Sequence, residues 1–368
     1  MLYIGLMSGT SIDSIDAALV DFSAATPKLI ATYSQQWPPA LAQELLIISQ
    51  KGESSLRRLM SLHCLVGEQF ALAVLELLKK AKLTASAITA IGSHGQNIFH
   101  CPNEIPAYTL QIGDPNTIAE RTGIRTIADF RQRDVVKGGQ GAPLAPAFHA
   151  ALLASTLEDR VVVNIGGISN ISVLYQDARK PVLGYDTGPG NALMNAWIEK
   201  NLQQPYDHAG QWAASGQVNL PLLEHLLQDP YFNLAPPKST GRDYFNLQWL
   251  LEKYGDLIRP LGAADVQHTL LALTAQSLAI AIQSHALNKP KILLCGGGVH
   301  NTHLVQTLEE ALPNYLIRST ADYGIEPNWM EAMLFAWLAK QTCEHQPGNL
   351  PSVTGAKGLA ILGGIYSA

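Results

Sequence analysis

Cysteine is scarce in this sequence and widely scattered: Cys64, Cys101, Cys295 and Cys343 form no CxxC pair. In a chain of 368 residues that usage excludes a disulfide scaffold and fits reduced thiols in a cytoplasmic compartment. Eleven histidines are present without an HExxH or similar ligand spacing, so no structural zinc is expected. Charged residues make up only 15% of the chain, the formal net charge is −5, and no basic run occurs. That removes the electrostatic footprint of a nucleic-acid or anionic-membrane partner. Long apolar runs are also missing. The stretch 270–282 and others like it are interrupted by polar residues and are expected to fall short of a membrane span. The opening MLYIGLMSGTS has no basic region followed by a longer apolar one, so no signal peptide is expected. Neither GxxxxGK[ST] nor a strand-plus-helix GxGxxG is found, which excludes a P-loop and a dinucleotide fingerprint.

What is there is a hydrophobic content of 47%, enough for a packed core, in a chain too long for one ordinary core. Two domains are therefore expected. Residues 3–7 form a short apolar run, a polar glycine turn follows, and residues 17–22 resume as a second strand, the pattern of a β-hairpin. Residues 59–83 repeat apolar positions at helical spacing, and 88–93 read as a buried strand ending at SHGQN. The glycine-rich stretch 137–146, KGGQGAPLAP, breaks the pattern and reads as a hinge or lobe junction. Beyond it the β-branched run 160–164 enters Gly166-Gly167, and a second strand over 171–175 completes another strand, turn, strand motif. The strand 291–295 ends in GGGVHN after a long helix candidate at 266–287. Two hairpin-led halves predict an α/β protein of two related lobes, although a doubly wound α/β sheet satisfies the same periodicity. The division expected is 1–130 for the N-terminal lobe, with 352–368 returning to it, and 131–351 for the C-terminal lobe.

The chemistry-bearing residues cluster at the ends of these strands. Gly9, Thr10, Ser11, Ile12, Asp13, Ser14, Ile15 and Asp16 occupy the turn of the first hairpin. Small residues let backbone approach a phosphate, hydroxyls and N–H groups donate to it, and the acids suit Mg²⁺; a solvated turn would look the same. Gly166 and Gly167 offer a second such turn, and Gly296 and Gly297 could lie flat beneath a nucleotide base or ribose. Each glycine cluster taken alone is more often just a tight turn; three at strand ends in this order point to a site. Asp186, between glycines in GYDTGPGN, has a carboxylate suited to act as a base, although an Asp in such a turn also bonds local backbone. Further polar clusters follow strands at Ser93-His94-Gly95-Gln96-Asn97 and Asp129-Phe130-Arg131. The loop Pro237-Lys238-Ser239-Thr240-Gly241-Arg242 is basic and hydroxyl-rich, suiting either an anion or plain solvent. Glu331 opens an apolar helix at 329–339, where a helix N-terminus favours a carboxylate whether or not it meets a substrate.

Taken in order, GLMSGTSIDSID, SHGQNIFH, LQIGD, DFRQRD, GGQGAPLAPAFH, NIGGISNI, GYDTGPGN, PPKSTGR and CGGGVHN make the chain resemble the anhydro-N-acetylmuramic acid kinases. The motifs run from residue 4 to about residue 340. The resemblance implies an α/β, two-lobed actin/hexokinase-like (ribonuclease H-like) fold with duplicated domains around a cleft. It implies ATP-dependent conversion of 1,6-anhydro-N-acetylmuramic acid and water to N-acetylmuramic acid 6-phosphate, in peptidoglycan recycling. ATP and Mg²⁺ are the implied cofactors, the latter through Asp13 or Asp16, with a homodimer in the bacterial cytoplasm. The ATP segment of the family falls on Gly9 to Asp16, its catalytic aspartate on Asp186, and its sugar contacts on His94, Asn97, Asp186 and Glu331. Ser14, Asn97 and Asn195 depart from the residues usual at those places. Rival readings are another sugar kinase of the same fold, an actin/Hsp70-type ATP-binding scaffold, or a glycosidase, which would need two acids and no nucleotide.

Overall fold

A computed structural model describes residues 1–24, 26–288 and 290–368. Its strands are β1 (Leu2–Met7), β2 (Ser14–Asp21), β3 (Lys28–Gln36), β4 (Ile88–Ser93), β5 (Gln96–Cys101), β6 (Tyr108–Ile112) and β7 (Thr126–Ala128). There follow β8 (Arg160–Ile165), β9 (Ile168–Leu174), β10 (Leu183–Pro189), β11 (Lys291–Cys295), β12 (Leu316–Ser319) and β13 (Gly364–Tyr366). The chain forms two compact units, Met1–Leu152 with Tyr323–Ala368, and Leu153–Asp322.

The first unit is built on a six-stranded sheet in the order β13-β7-β4-β1-β2-β3. Antiparallel pairs join β1, β2 and β3, whereas β1, β4 and β7 run parallel. The second unit has a five-stranded sheet, β10-β9-β8-β11-β12, with the same senses: three antiparallel strands, then two parallel additions. Each sheet is thus a ribonuclease H-like α/β unit, and the unit is duplicated. The inner strands β1 and β8 are buried on both faces, which is why both read as nearly continuous apolar runs.

In the first unit, the helix Leu56–Ala81 begins where Ser55 accepts the Arg58 N–H, and it packs Leu62, Val66, Phe70 and Val74 into the core. By length and composition this helix is apolar enough to cross a membrane, with half of that stretch buried. The expectation that every apolar run is too short therefore fails here; the apolar face is the core-facing side of a long helix. The helix Met330–Cys343 lies directly across β1 and β4. A Cβ at Gly5 or Gly92 would overlap the carbonyls of Ala332 and Phe335, so only glycine allows this approach. That contact places this helix in the first unit, where the sequence division had put it in the second lobe. The compact units divide at 152/153 and 322/323, whereas the sequence division falls at 130/131 and 351/352.

The stretch 137–146 is likewise not the seam between the units. Buried Asp134 fixes it: Oδ2 accepts the Gly141 N–H at 2.8 Å, and Oδ1 accepts Asn349 Nδ2 at 2.7 Å and Thr354 Oγ1 at 2.9 Å. Gly139 packs against the same carboxylate. In the second unit the core gathers Val161, Val163, Tyr185, Trp197 and Phe245 with Leu270, Leu271 and Leu278 of the helix Ala263–Gln283.

Candidate functional site

In the first unit the β1–β2 register ends at the pair Met7–Asp16, and β2 already pairs with β3 from Ser14, so the unpaired turn is residues 8–13. Ser14, Ile15 and Asp16 therefore belong to β2 rather than to the turn, a difference from the sequence reading. Ile15 is fully buried and Ile12 nearly so, and both side chains face the core. Ile12 adopts a left-handed φ of 57°, unusual for a β-branched residue, and donates its N–H to the Gly9 carbonyl at 3.2 Å. These two residues have only backbone to offer a ligand. Gly9 is open: a Cβ there meets only Ser11 Oγ, at 3.7 Å. Asp16 Oδ1 accepts hydroxyls from Ser14 at 3.1 Å and Ser34 at 2.7 Å, and Asp13 is exposed.

The start of β5 is tied to this turn, since Gln96 Nε2 donates to the Gly9 carbonyl at 3.2 Å. His94 is buried, its ring 4.8 Å from that of Phe335, and burial together with the Arg131 charge holds its pKa well below the usual imidazole value. His94 is accordingly neutral, and its Nε2 accepts from Arg131 Nε at 3.1 Å. Arg131 Nη1 also donates to the Gly141 carbonyl at 2.9 Å. Desolvation lowers the Arg131 pKa to about 10, with Glu331 opposing the shift. Glu331 is open to solvent yet densely surrounded. The protein atoms crowded around it desolvate the carboxyl and raise its pKa, Arg131 opposes this, and Asp16 adds to it. Ser93 Oγ and Gln96 Oε1 are buried with no hydrogen-bond partner among the described residues. Such orphans in a polar cluster mark where a polar ligand would complete the network. The sequence-derived residues Gly9, Asp16, His94 and Glu331 thus belong to one neighbourhood. Asn97 sits on the separate β5–β6 hairpin, where its Oδ1 accepts Gln111 Nε2 at 2.7 Å.

In the second unit a β-bulge shapes the candidate catalytic residue. Asp186 pairs with Asn170 but Gly188 pairs with Ser169, so Thr187 is an extra residue in β10. Bulges of this kind re-aim a side chain at a site. Thr187 is buried and anchors the bulge by donating to the Ser169 carbonyl at 3.1 Å. The segment 238–240 then grips Asp186 from two sides. The Asp186 N–H donates to the Lys238 carbonyl at 3.1 Å, and its Oδ2 accepts the Thr240 N–H at 3.0 Å and Ser239 Oγ at 3.1 Å. Tyr231 adds a hydroxyl donated to the Asp186 carbonyl at 2.7 Å. Burial raises the carboxyl pKa and the two donors to Oδ2 only partly offset this. Oδ1 has no recorded donor among the described residues. The result is a rigidly held carboxylate with one oxygen available and a raised affinity for a proton.

The turn Gly166-Gly167 lies beside this group. Its carbonyls accept from Asn191, and from Gly190 and Ala192, which ties the turn to the loop following β10. Gly296 takes a positive φ of 79°, and a Cβ on it would strike Asn164 Oδ1, so its glycine is a backbone requirement. Gly297 has nothing within 4 Å of a built Cβ. It opens into a cavity of about 540 Å³ lined also by Asn191, Asn195, Tyr206, His208 and Asn301. Asn195 is therefore a wall residue of this cavity.

Several participants carry no individual role in the sequence reading. Arg131, Gln96, Ser239 and Thr240 sit within quoted motifs, but nothing in their spacing distinguishes a ligand contact from a loop residue. Tyr206 and His208 had no sequence signal, because the cavity is assembled from segments about 90 residues apart.

The family model for anhydro-N-acetylmuramic acid kinase matches residues 1–368. An anhydro-N-acetylmuramic acid kinase of Coxiella burnetii (strain Dugway 5J108-111) is 51% identical over 365 residues, covering 99% of this chain and 97% of that protein. One of Shewanella sp. (strain MR-4) is 50% identical over 366 residues, covering 100% and 98%. Among solved structures, the activator of the 2-hydroxyisocaproyl-CoA dehydratase from Clostridium difficile with bound ADPNP gives a TM-score of 0.48. It is 11% identical and covers 94% of this chain and 96% of that one. With one family spanning every residue and relatives at half identity over their full length, the chain belongs to the anhydro-N-acetylmuramic acid kinase family.

Proposed function

We propose that this protein uses ATP and water to convert 1,6-anhydro-N-acetylmuramic acid to N-acetylmuramic acid 6-phosphate. The observation that carries the reading is Asp186: one accessible carboxylate, fixed in a bulge by Ser239 and Thr240, with its proton affinity raised by burial. A base whose pKa is raised from the ordinary Asp value is better matched to removing a proton from water near neutral pH. In the proposed reaction Asp186 takes that proton as the water oxygen bonds to C1 and the C1–O6 bond breaks. O6 forms a bond to the γ-phosphorus of ATP while the bond to the β,γ-bridging oxygen breaks, and ADP leaves. Phosphorylation of O6 thus replaces the proton that a general acid would otherwise deliver. One carboxylate then suffices where glycosidases commonly need two.

The open backbone at Gly9, with Thr10 and Ser11, suits the phosphates of ATP, and Gly166 and Gly167 suit them likewise. The cavity at Gly297, next to Gly296 in the chain, suits a nucleoside. Mg²⁺ would supply charge neutralisation at the phosphates, held by them with Asp13 or Asp16. Among the described residues no group of three or more His, Cys, Asp or Glu could hold a metal on its own. His94, Asn97 and Glu331 are assigned to the sugar. A homodimer in the bacterial cytoplasm completes the proposal, to be checked by light scattering of the purified protein and by cell fractionation. The decisive assay couples ADP release to product analysis with ATP and 1,6-anhydro-N-acetylmuramic acid, beside N-acetylmuramic acid and N-acetylglucosamine. Turnover of the anhydro sugar alone is expected; equal turnover of the reducing sugars would reject the coupled ring opening.

A further inference from the structure

Gly167 is glycine for a reason the backbone does not impose. Its φ is not in the left-handed region, yet a Cβ built on it would stand 2.6 Å from Arg242 Nε, 2.7 Å from Nη2 and 3.0 Å from Cζ. The guanidinium of Arg242 therefore rests on the Gly166-Gly167 turn, in space that any larger residue would fill. Arg242 is exposed, and its guanidinium makes no recorded hydrogen bond or ion pair among the described residues. Its five N–H donors remain available, in a planar fork suited to phosphate oxygens. The same short loop supplies Ser239 and Thr240 to Asp186, three and two positions before Arg242. One loop thus fixes the base and presents a cation over the adjacent glycine turn.

We infer that Arg242 is a catalytic residue that binds the transferring phosphoryl group of ATP. This rests on the kinase reading above. As O6 bonds to the γ-phosphorus and the bridging oxygen departs, negative charge spreads over the phosphoryl and bridging oxygens. A guanidinium lying on the turn proposed for phosphate is placed to meet that charge, where such a donor acts most strongly. The absent side chain at Gly167 is what lets the fork settle there. The sugar also carries an anion, its carboxylate, but the guanidinium lies on the turn assigned to phosphate.

The test compares wild type, Arg242→Ala, Arg242→Lys, Gly167→Ala and the Gly167→Ala/Arg242→Ala double variant. Each is checked for an unchanged melting transition. Arg242→Ala is expected to lower kcat by about 10²–10³-fold, in the manner of a lost oxyanion donor, with the sugar KM unchanged. Added guanidinium should restore at least tenfold of that loss in Arg242→Ala and none in Asp186→Asn. Lysine should recover only part, since it keeps the charge and loses the fork. Gly167→Ala should slow the wild type by displacing the guanidinium but add little to Arg242→Ala, the non-additivity of two changes acting through one group. Overturning results are a kcat within threefold of wild type, a loss confined to the sugar KM, no guanidinium rescue, or full additivity. If wild type itself shows no ATP-dependent product, the kinase reading fails first, and the two failures are told apart.

Discussion

The Asp186 carboxylate accepts the backbone N–H of Thr240 at 3.0 Å through Oδ2, and no described residue is recorded donating to Oδ1. Thr240 steadies the charged form, yet burial outweighs it and the pKa is raised. Two pH effects of opposite kind follow. The base must be ionised, so kcat/KM should fall on the acid side at a pH above the ordinary Asp value of about 3.9. Ser239→Ala removes one stabilising donor and should move that limb further up. For stability, a raised folded pKa means the folded state binds the proton more tightly. Asp186 therefore favours folding below its unfolded pKa, and that contribution is lost as pH rises through the folded value. At neutral pH, Asp186→Asn should melt at least as high as wild type. An acid limb at pH 4 or below would contradict the shift.

Gly9 offers a clean separation of binding from folding. Its built Cβ meets only Ser11 Oγ at 3.7 Å, so a side chain there costs the fold little. Gly9→Val should keep the melting temperature while weakening ATP, measured by calorimetry, by about tenfold or more, since blocked backbone approach forfeits a charged hydrogen bond of about 1.5–3 kcal/mol. Unchanged ATP affinity would remove this turn from the phosphate site.

Glu331 and Arg131 influence each other electrostatically but form no direct ion pair among the described contacts. Arg131 gives Nε to His94 and Nη1 to Gly141. Glu331→Gln should raise the KM for the anhydro sugar about tenfold, the low end for a hydrogen bond to a charged group, with the KM for ATP nearly unchanged. An effect on ATP alone would reassign this carboxylate.

Asp134 is a fully buried carboxylate receiving Asn349, Thr354 and the Gly141 N–H. Asp134→Ala would orphan these donors at about 1–3 kcal/mol each. A loss of about 3 kcal/mol or more in unfolding free energy is expected by denaturant titration. A loss under 1 kcal/mol would show that water replaces the carboxylate.

The legible parts of this molecule were those written in local order. Two runs of strand, glycine turn, strand foretold the paired sheets, and β8 announced itself through Val161, Val162 and Val163. Asp186 stood out between glycines, although the bulge at Thr187 that aims it depends on pairing with Ser169 and was invisible. The unit boundary differs because the glycine-rich stretch reads as a hinge or lobe junction. What immobilises it is Asp134, whose partners Asn349 and Thr354 lie more than 200 residues away. The helix carrying Glu331 joined the first unit through Gly5 and Gly92, two strand glycines whose role appears only once a helix lies on them. Side chains such as Tyr206 and Arg242 gain meaning from long-range assembly, which spacing does not encode.

The sharpest prediction concerns the route of the water oxygen. If Asp186 activates water at C1, attack comes from the face opposite the O6 bridge and the product forms with inversion at that carbon. In ¹⁸O-labelled water the label should appear at C1, and the phosphate should carry none, because its ester oxygen is the original O6. Hydrolysis of ATP by water would instead put label into phosphate and leave the ring closed. Asp186→Asn retains the size of the group and keeps an acceptor for Thr240, so substrate binding should persist while kcat falls by about 10²–10⁴-fold, the usual worth of a general base. The residual reaction of the variant should also lose the acid limb in its pH profile, since the group that titrates is gone. Mass spectrometry of the labelled product and proton NMR of the nascent anomer read both outcomes in one experiment. Label in the phosphate, retention at C1, or ring opening without ATP would each refute Asp186 as the base in this reaction.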